Sequence, residues 1–452
     1  MASQRKAWGQ ASRNRLGWVL YDWANSAFVL CIVTVIGAQY FLHVFEEAAK
    51  GAGDLKVGSA SAMRVWGMTL PGEAMWSFII AAAALFVVVT APLLGSIADV
   101  RRNKKRFMQV YCLLGAAATV LLAWPLPWWA VGLLILVGTI GFEAGNVFYN
   151  AFLPEIAGAG EQDRLSSQGF AAGYVGGVLV LIAALVLFTP TVFNPPLGSI
   201  RNAFWMVGLW WGGFGLLTFA LLQERPGGVA GGGLIASGRA AGRQLAGTLR
   251  SLRRYPQALL FLGAYLLYND GIATLIANVT PYALQNIYVD DTLTAKIGTA
   301  QLILAIILVQ VVAFPGSLFF GWLAGRIGQK ATVFAALAVY TAVLLYGQVA
   351  QVAWQFFLMS GLIGWVLGGS QAISRSLFAS FVPEGKNAEF FAFYGLSEKL
   401  SAMAGPLTYG LLIWLTGETR IAILGLTIFF VAGGLVLAFV KPERGRRQAL
   451  AG

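Results

Sequence analysis

The residues that could carry chemistry in this chain are polar side chains inside long apolar runs. The first group is Asp22, Asn25 and Ser26, which share one helix face because they are spaced i, i+3, i+4. A charged side chain at membrane depth costs roughly 2.5–3.5 kcal/mol on insertion scales, so it is usually kept only where it faces a wet cavity or a partner. This group therefore predicts a membrane, a cavity and partners elsewhere in the chain.

Similar polar groups recur in later apolar runs. Each combines a carboxylate or a cation with neutral hydrogen-bonding side chains on or near one helix face. Their members are Glu143, Asn146 and Asn150; Tyr268, Asn269 and Asp270; Gln371, Ser374 and Arg375; and Glu398, Lys399 and Ser401. Such groups at membrane depth either bind a polar solute or a proton, or pair with one another.

The composition is that of a membrane protein. Of 452 residues, 58% are hydrophobic and 11% are charged, with a mean hydropathy of +0.72, whereas soluble domains carry about 25% charged residues. The net charge of +12 does not indicate nucleic-acid binding, because the basic residues form short clusters between apolar runs. The first apolar run is too long for a signal-peptide core and is predicted to be a retained transmembrane helix.

Metal, cofactor and redox chemistry are not expected. Cys31 and Cys112 lie inside apolar runs and read as small buried side chains, and the single histidine, His43, lies at the end of the first span. The sequence has no cluster that would supply a nucleophile with its base, or a set of metal ligands. An enzyme is therefore not expected.

Twelve spans are predicted, which gives an all-α polytopic membrane protein. They cover 16–44, 76–98, 106–125, 128–152, 166–189, 202–222, 257–284, 296–325, 331–350, 353–380, 388–416 and 419–440. The long loop from Glu46 to Glu73 is predicted to hold a short helix near Ala60–Trp66. Most lysines and arginines fall in the segments that become cytoplasmic if the N-terminus is cytoplasmic, so both termini are predicted on the cytoplasmic side of the cell (inner) membrane.

The two halves of the chain resemble each other. Gly95–Asp99 with Lys104 is repeated as Gly321–Gly325 with Lys330, Ala151–Glu155 is repeated as Ser380–Glu384, and Tyr21-Asp22 has a counterpart in Tyr268-Asn269-Asp270. The common order predicts two six-helix bundles, 1–222 and 257–452. Between them, 223–256 is a Gly-rich linker with a basic amphipathic stretch, predicted to lie on the inner leaflet or to serve as a regulatory site.

Two sets of motifs resemble known transporters. The Gly95 segment is similar to the loop motif of the major facilitator superfamily between its second and third spans, although Val100, Arg102 and Asn103 depart from it and Gly325 replaces the acid in the second copy. Tyr21–Phe28, Asn146–Glu155, Ser374–Phe378 and Glu389–Gly395 resemble the branch related to the vacuolar amino-acid effluxers of autophagy. The resemblance implies a major facilitator fold, transport, and by analogy efflux of amino acids or similar metabolites.

In the facilitator fold, spans one, four, seven and ten line the central cavity. The resemblance therefore implies that Asp22, Glu143 and Asp270 face one aqueous site opposite Arg375. Arg375 would then bind a carboxylate and Asp22 or Asp270 an ammonium, or one of the acids would carry a proton. The alternative is that the groups pair: Glu398 or Glu143 with Arg375, and Asp22 with Lys399.

The repeated loop motif predicts a cytoplasmic gate. Its residues are Gly95, Asp99, Arg101, Arg102 and Lys104 in the first half and Gly321, Arg326 and Lys330 in the second. In one conformation Asp99 would pair with another helix and in the other it would release it. The alternative is a positive-inside anchor at the end of the span.

Together these patterns predict a monomeric secondary transporter that works by alternating access. It would move a small polar or zwitterionic solute such as an amino acid, with exchange for protons, and its partners would be the solute and the lipid bilayer. The alternative is a non-transporting receptor or scaffold on the same fold, which would be expected to carry a sizeable soluble domain.

Overall fold

The computed structural model is almost entirely helical. It describes residues 2–53, 55–58, 60–101, 103–157, 162–188, 197–224, 254–382, 387–401 and 403–450. Residues 225–253 of the predicted linker, with its Gly-rich run and its basic amphipathic stretch, lie outside these residues.

Helices follow one another along the whole described chain. They are α1 (Ala2–Phe28), a π-helical segment (Val29–Val35), α2 (Ile36–Gly51), α3 (Gly72–Arg101), α4 (Lys104–Leu121), α5 (Trp128–Ile156), α6 (Gln162–Phe188), α7 (Leu197–Leu221), α8 (Pro256–Asn286), α9 (Thr299–Ile327), α10 (Gln329–Tyr346), α11 (Ala353–Ala379), α12 (Asn387–Leu400), α13 (Ala404–Thr416), α14 (Thr419–Gly425), α15 (Thr427–Phe439) and α16 (Pro442–Leu450).

Among the described residues, nine helical segments are long and apolar enough to cross a membrane. They expose apolar side chains as lipid-facing helices do. On α9, for example, Val311, Phe314 and Leu318, spaced i, i+3, i+7, are all more than 60% exposed. The predicted all-α polytopic fold is confirmed, and the count of twelve spans stays a prediction.

The loop between α2 and α3 is a small β-sheet, so the prediction of a helix near Ala60–Trp66 is wrong. Strands β1 (Leu55–Val57), β2 (Ala60–Val65) and β3 (Met68–Pro71) pair antiparallel in that order. A two-residue turn joins β2 to β3, and both of its residues have positive φ, 51° at Trp66 and 82° at Gly67. Such turns match the twist of a hairpin and favour glycine, so Gly67 is a turn signal, whereas Trp66 is not a residue that sequence rules place in such a turn.

By packing, the chain forms two compact units. The first comprises Met1–Tyr40 and Ala82–Leu245, and the second comprises Phe41–Ala81 and Ala246–Gly452. The end of the first predicted span, the β-sheet and the start of the second span thus pack with the chain that follows the linker. The predicted division into two six-helix bundles stays a prediction.

Two predicted spans are interrupted. The first contains the π-helical segment, where the Ile36 N–H donates to Cys31 O, five residues back. The span predicted over 388–416 is divided into α12 and α13, with a break after Leu400. Both kinds of interruption are frequent at functional sites of membrane proteins.

Candidate functional site

In the first unit, Asp22 on α1 is held by Tyr149 on α5. Tyr149 Oη donates to Asp22 Oδ2 at 2.7 Å. The backbone carbonyl of Tyr149 accepts a hydrogen bond from Trp18 Nε1 at 2.9 Å, and the two rings stack with centroids 4.3 Å apart. The Asp22 carboxylate therefore has a neutral partner from the fourth predicted span.

The amides of the same two helices also meet. Asn25 Nδ2 donates to Asn146 Oδ1 at 2.7 Å, so the i, i+3 faces predicted on α1 and α5 are brought together. Glu143 lies on α5 one turn before Asn146 and is half-buried, whereas Asn150, one turn after it, is exposed. Ser26 lies against α6, where a Cβ added to Gly173 would come within 2.5 Å of Ser26 Oγ.

In the second unit, the polar side chains of α8 reach α11 and α12. Tyr268 Oη lies 2.6 Å from Ser374 Oγ on α11, which itself donates to Ser370 O. Asn269 Nδ2 donates to Ser401 Oγ at 2.6 Å, at the end of α12.

The carboxylate of Glu398 also bonds to α8. Tyr265 Oη donates to Glu398 Oε1 at 2.9 Å, and the Tyr265 ring stacks on Tyr394 with centroids 4.4 Å apart. Gln371 and Arg375, which share a face of α11, are exposed. The side chain of Lys399 lies outside what the structure describes.

Asp270, on α8, is fully buried, and its carboxylate lies at the start of α13. Its Oδ2 accepts the Gly405 N–H at 2.8 Å. Since the first N–H groups of a helix have no partner within the helix and carry a partial positive charge, a carboxylate there is stabilised. Asp270 thus completes the N-terminus of a helix that begins within a predicted span.

The two units repeat one arrangement of acid, hydroxyl and glycine. On α1 the acid and hydroxyl are Asp22 and Ser26, and on α8 they are Asp270 and Thr274, four residues apart in both cases. A Cβ added to Gly173 would crowd Ser26 Oγ, and one added to Gly405 would overlap Thr274 Oγ1 and lie 2.7 Å from Asp270 Oδ1. This agrees with the internal repeat inferred from the sequence, and it pairs Asp22 with Asp270.

The predicted gate residues take part in helix-end contacts where their side chains are described. Lys104 Nζ forms a 2.7 Å ion pair with Glu155 at the end of α5. Lys330 Nζ donates to Ala438 O and Val440 O at the end of α15, and the Arg326 guanidinium lies 5.0 Å from the centre of the Trp322 ring. A Cβ added to Gly321 would meet no atom within 4 Å. The structure does not describe the surroundings of Gly95, Asp99 and Arg101, and Arg102 lies outside the described residues.

A further set of bonds joins α3 to α8 within the second unit. Trp76 Nε1 donates to Ala277 O at 3.1 Å, and Ser77 Oγ donates to Asn278 Oδ1 at 2.6 Å. Trp76, Ser77 and Asn278 are fully buried. We call this set the α3–α8 latch.

Sequence reasoning missed Tyr149, Tyr265 and the latch as candidate site residues. A signal existed for the two tyrosines: Tyr149 follows Asn146 by three residues and Tyr265 precedes Tyr268 by three, so each shares a helix face with a selected residue. Ser77 and Asn278 carry no such signal, because neither belongs to a repeated motif.

Comparison with known proteins identifies the family. The family described as "Vacuole effluxer Atg22 like" matches residues 10–450. Uncharacterized MFS-type transporter YxiO of Bacillus subtilis is 32% identical over 94% of this chain and 94% of its own length. Autophagy-related protein 22-1 of Penicillium rubens is 24% identical over 98% of this chain and 92% of its own length.

Solved structures show the same fold at low identity. A D-xylose-proton symporter superposes with a TM-score of 0.63 at 14% identity, covering 97% of this chain and 99% of that one. The nucleoside transporter NupG does so with a TM-score of 0.58 at 13% identity, covering 95% and 97%. Family and fold are those of transporters and not of enzymes. The chain is a multi-pass membrane transporter that belongs to the Atg22-like branch of the major facilitator superfamily.

Proposed function

We propose that the protein is a secondary active transporter that moves a small zwitterion such as an amino acid out of the cell in exchange for protons. In this proposal it works as a monomer in the cell (inner) membrane, with both termini cytoplasmic. The family description names an effluxer, and one protein of the same fold is a proton symporter. Both names agree with flux of a small polar solute.

The surroundings of Asp22 carry the proposal. Its Oδ2 is bonded to the neutral Tyr149 hydroxyl, and among the described residues no group donates a hydrogen bond to Oδ1. A carboxylate with one oxygen fixed and the other free can accept an ammonium or a proton without first breaking an ion pair. The Asn25–Asn146 amide pair one turn away adds neutral hydrogen-bonding groups suited to a polar solute.

The second unit has its own candidate group for a carboxylate. Arg375 is exposed on α11, one residue after Ser374, which bonds to Tyr268. Arginine binds carboxylates in bidentate geometry. Asn269, which donates to Ser401, and Glu398, which accepts from Tyr265, would complete the polar surface of this unit.

Alternating access is supported by the α3–α8 latch. It joins residues before the linker to residues after it, so relative rocking of the two predicted bundles would have to break its bonds. Lys104 and Glu155 form a second pair, between neighbouring helices, that belongs to the predicted cytoplasmic gate.

The test is flux in proteoliposomes loaded with a mixture of labelled L-amino acids, with and without a pH gradient. Asp22→Asn is expected to reduce flux at least about tenfold, because it removes the charge that binds the ammonium or the proton. Asp290→Asn makes the same chemical change in an exposed turn and should leave flux unchanged. If the Asp22→Asn protein carries every amino acid as fast as the wild type, the assignment of Asp22 to the binding site is wrong. If the wild type carries no amino acid, the assignment of amino acids as substrates is wrong.

A further inference from the structure

Tyr149 is fixed on several sides. Its ring stacks with Trp18 and with Tyr21, with centroids 4.3 Å and 5.2 Å away and interplanar angles of 13° and 29°. Its carbonyl oxygen accepts the Trp18 Nε1–H. A side chain stacked on two rings keeps little rotational freedom, so the position of its hydroxyl group is set before any solute binds.

The fixed hydroxyl group bonds to one oxygen of one carboxylate. Tyr149 Oη donates to Asp22 Oδ2, and no donor to Oδ1 is found in the part of the chain that the structure describes, so Oδ1 is the oxygen that we assign to a ligand. Tyr149 is a neutral donor, so it orients the carboxylate without cancelling its charge. An arginine or lysine in this place would compete with a cationic ligand.

The helix that crosses this bond is shaped to permit it. A Cβ added to Gly169 on α6 would lie 2.6 Å from Asp22 Oδ2 and 2.9 Å from Tyr149 Oη. Any larger residue at position 169 would thus press on both atoms of the hydrogen bond.

A second tyrosine in the same cluster lacks this bond. Tyr21 is fully buried, and its hydroxyl group has no hydrogen-bond partner among the described residues. The aromatic cluster can therefore pack without using a hydroxyl group, and packing alone does not account for the Tyr149–Asp22 bond.

We infer that Tyr149 is a positioning residue for Asp22: it orients the carboxylate so that Oδ1 meets the transported ammonium or proton, and Gly169 leaves the space for this bond. The inference rests on the proposed role of Asp22. It predicts that loss of the Tyr149 hydroxyl group impairs transport through Asp22 and not through folding.

The experiment compares Tyr149→Phe with Tyr21→Phe. Each variant loses one buried hydroxyl group and keeps its ring in the stack. Flux of labelled L-amino acids is measured in proteoliposomes, and the melting temperature is measured in detergent. A third measurement needs no substrate: the rate at which dicyclohexylcarbodiimide labels the Asp22 carboxyl group, followed by mass spectrometry of the peptide.

Tyr149→Phe is expected to reduce flux and to speed Asp22 labelling, each by about threefold or more, the size given by loss of one hydrogen bond. Its melting temperature should fall by only a few degrees, the cost of one hydrogen bond. Tyr21→Phe should match the wild type in flux and labelling and keep or raise the melting temperature, because its hydroxyl group has no partner among the described residues. Gly169→Ala should speed labelling in the same way, because its Cβ presses on the bond without changing either partner.

The outcomes separate the two proposals. If the wild type carries no amino acid but Tyr149→Phe still speeds Asp22 labelling, the substrate assignment fails and the positioning role stands. Labelling and flux in Tyr149→Phe equal to those of the wild type would overturn the positioning role. So would equal changes in Tyr149→Phe and Tyr21→Phe, because the effect would then come from packing.

Discussion

At the scale of single residues, Asp22 and Asp270 occupy equivalent places in a repeated arrangement but make different bonds. Asp22 accepts from a side chain, Tyr149 Oη, and is partly exposed. Asp270 accepts from a backbone N–H and is fully buried. A bond to a tyrosine can be remade when a ligand arrives, whereas loss of a carboxylate from a buried helix end leaves an unsatisfied N–H. Of the two, the surroundings of Asp22 better suit ligand exchange.

The glycines of α6 set how closely that helix approaches Asp22. A Cβ added to Gly176 would lie 2.7 Å from the Trp23 carbonyl oxygen, which is backbone and has little freedom to move. We expect Gly176→Ala to lower the stability by about 1–3 kcal/mol, the usual cost of overpacking. The measurement is the melting temperature in detergent.

Gly213→Ala on α7 is the matched control, since a Cβ there meets nothing within 4 Å. It should keep or raise the melting temperature, because alanine favours helix over glycine by up to about 1 kcal/mol. Equal effects of the two substitutions would show that helix propensity, and not the α1–α6 contact, governs both.

At the scale of elements, sequence periodicity predicted where the chain is helical but not where its helices are interrupted. The run over 388–416 is apolar at both ends, so it reads as one span, although the largely polar segment Ser397–Ser401 and Gly405-Pro406 lie at its centre. At the break, the first turn of α13 bonds to Asp270, which lies more than a hundred residues away in the chain. The π-helical segment Val29–Val35 was likewise not predicted, because its residues continue the apolar run of the first span without a Gly or Pro.

The same limits applied to the candidate site. Spacing predicted that Asp22 and Asn25 share one helix face and that Glu143 and Asn146 share another, because helical period is a local property. Tyr149 was passed over because an aromatic residue in an apolar run usually only packs. What separates it from Tyr21 is a single tertiary contact, which the sequence does not encode in any local pattern.

The bond from the Gly405 N–H to Asp270 is predicted to stabilise the start of α13. Asp270→Ala should destabilise the helix by about 1–3 kcal/mol, because the buried Gly405 N–H loses its acceptor. Asp270→Asn keeps an oxygen in place and should cost less. Hydrogen exchange of residues 404–416 measures the effect locally, and faster exchange is expected in Asp270→Ala alone.

Flux through the Asp270→Asn protein would then show whether the charge of Asp270 also takes part in transport. Lost flux with normal protection of α13 would mean that the carboxylate also serves transport, as the sequence predicted. Equal protection in Asp270→Ala and the wild type would instead show that the Gly405 bond does not hold the helix end.

At the scale of the whole molecule, packing does not follow chain order. Residues 41–81 belong to the unit that contains the chain after the linker. The β-sheet in this segment lies against the end of α13, where a Cβ on Gly417, which has a φ of 71°, would overlap the Val57 carbonyl oxygen. A transporter whose predicted bundles rock against each other would have to separate such contacts in each cycle.

Opening of the α3–α8 latch can be measured without a substrate. The thiol introduced by Ala81→Cys, one turn after Ser77 on α3, lies in a buried place, and its reaction with a water-soluble maleimide reports how often that place opens. Cys31 and Cys112 are buried as well, so the background is low. Asn278→Ala, combined with Ala81→Cys, removes the buried bond from Ser77, which is worth about 0.5–1.5 kcal/mol. It should raise the open fraction, and with it the labelling rate, by about threefold or more.

Asn286→Ala is the matched control on the same helix. Asn286 bonds to Thr419 and Arg420, which also follow the linker, so its bonds need not break when the bundles part. If the two alanine variants label equally fast, the Asn278 bond does not hold this end of the transporter closed, and the α3–α8 contact is packing within a rigid unit.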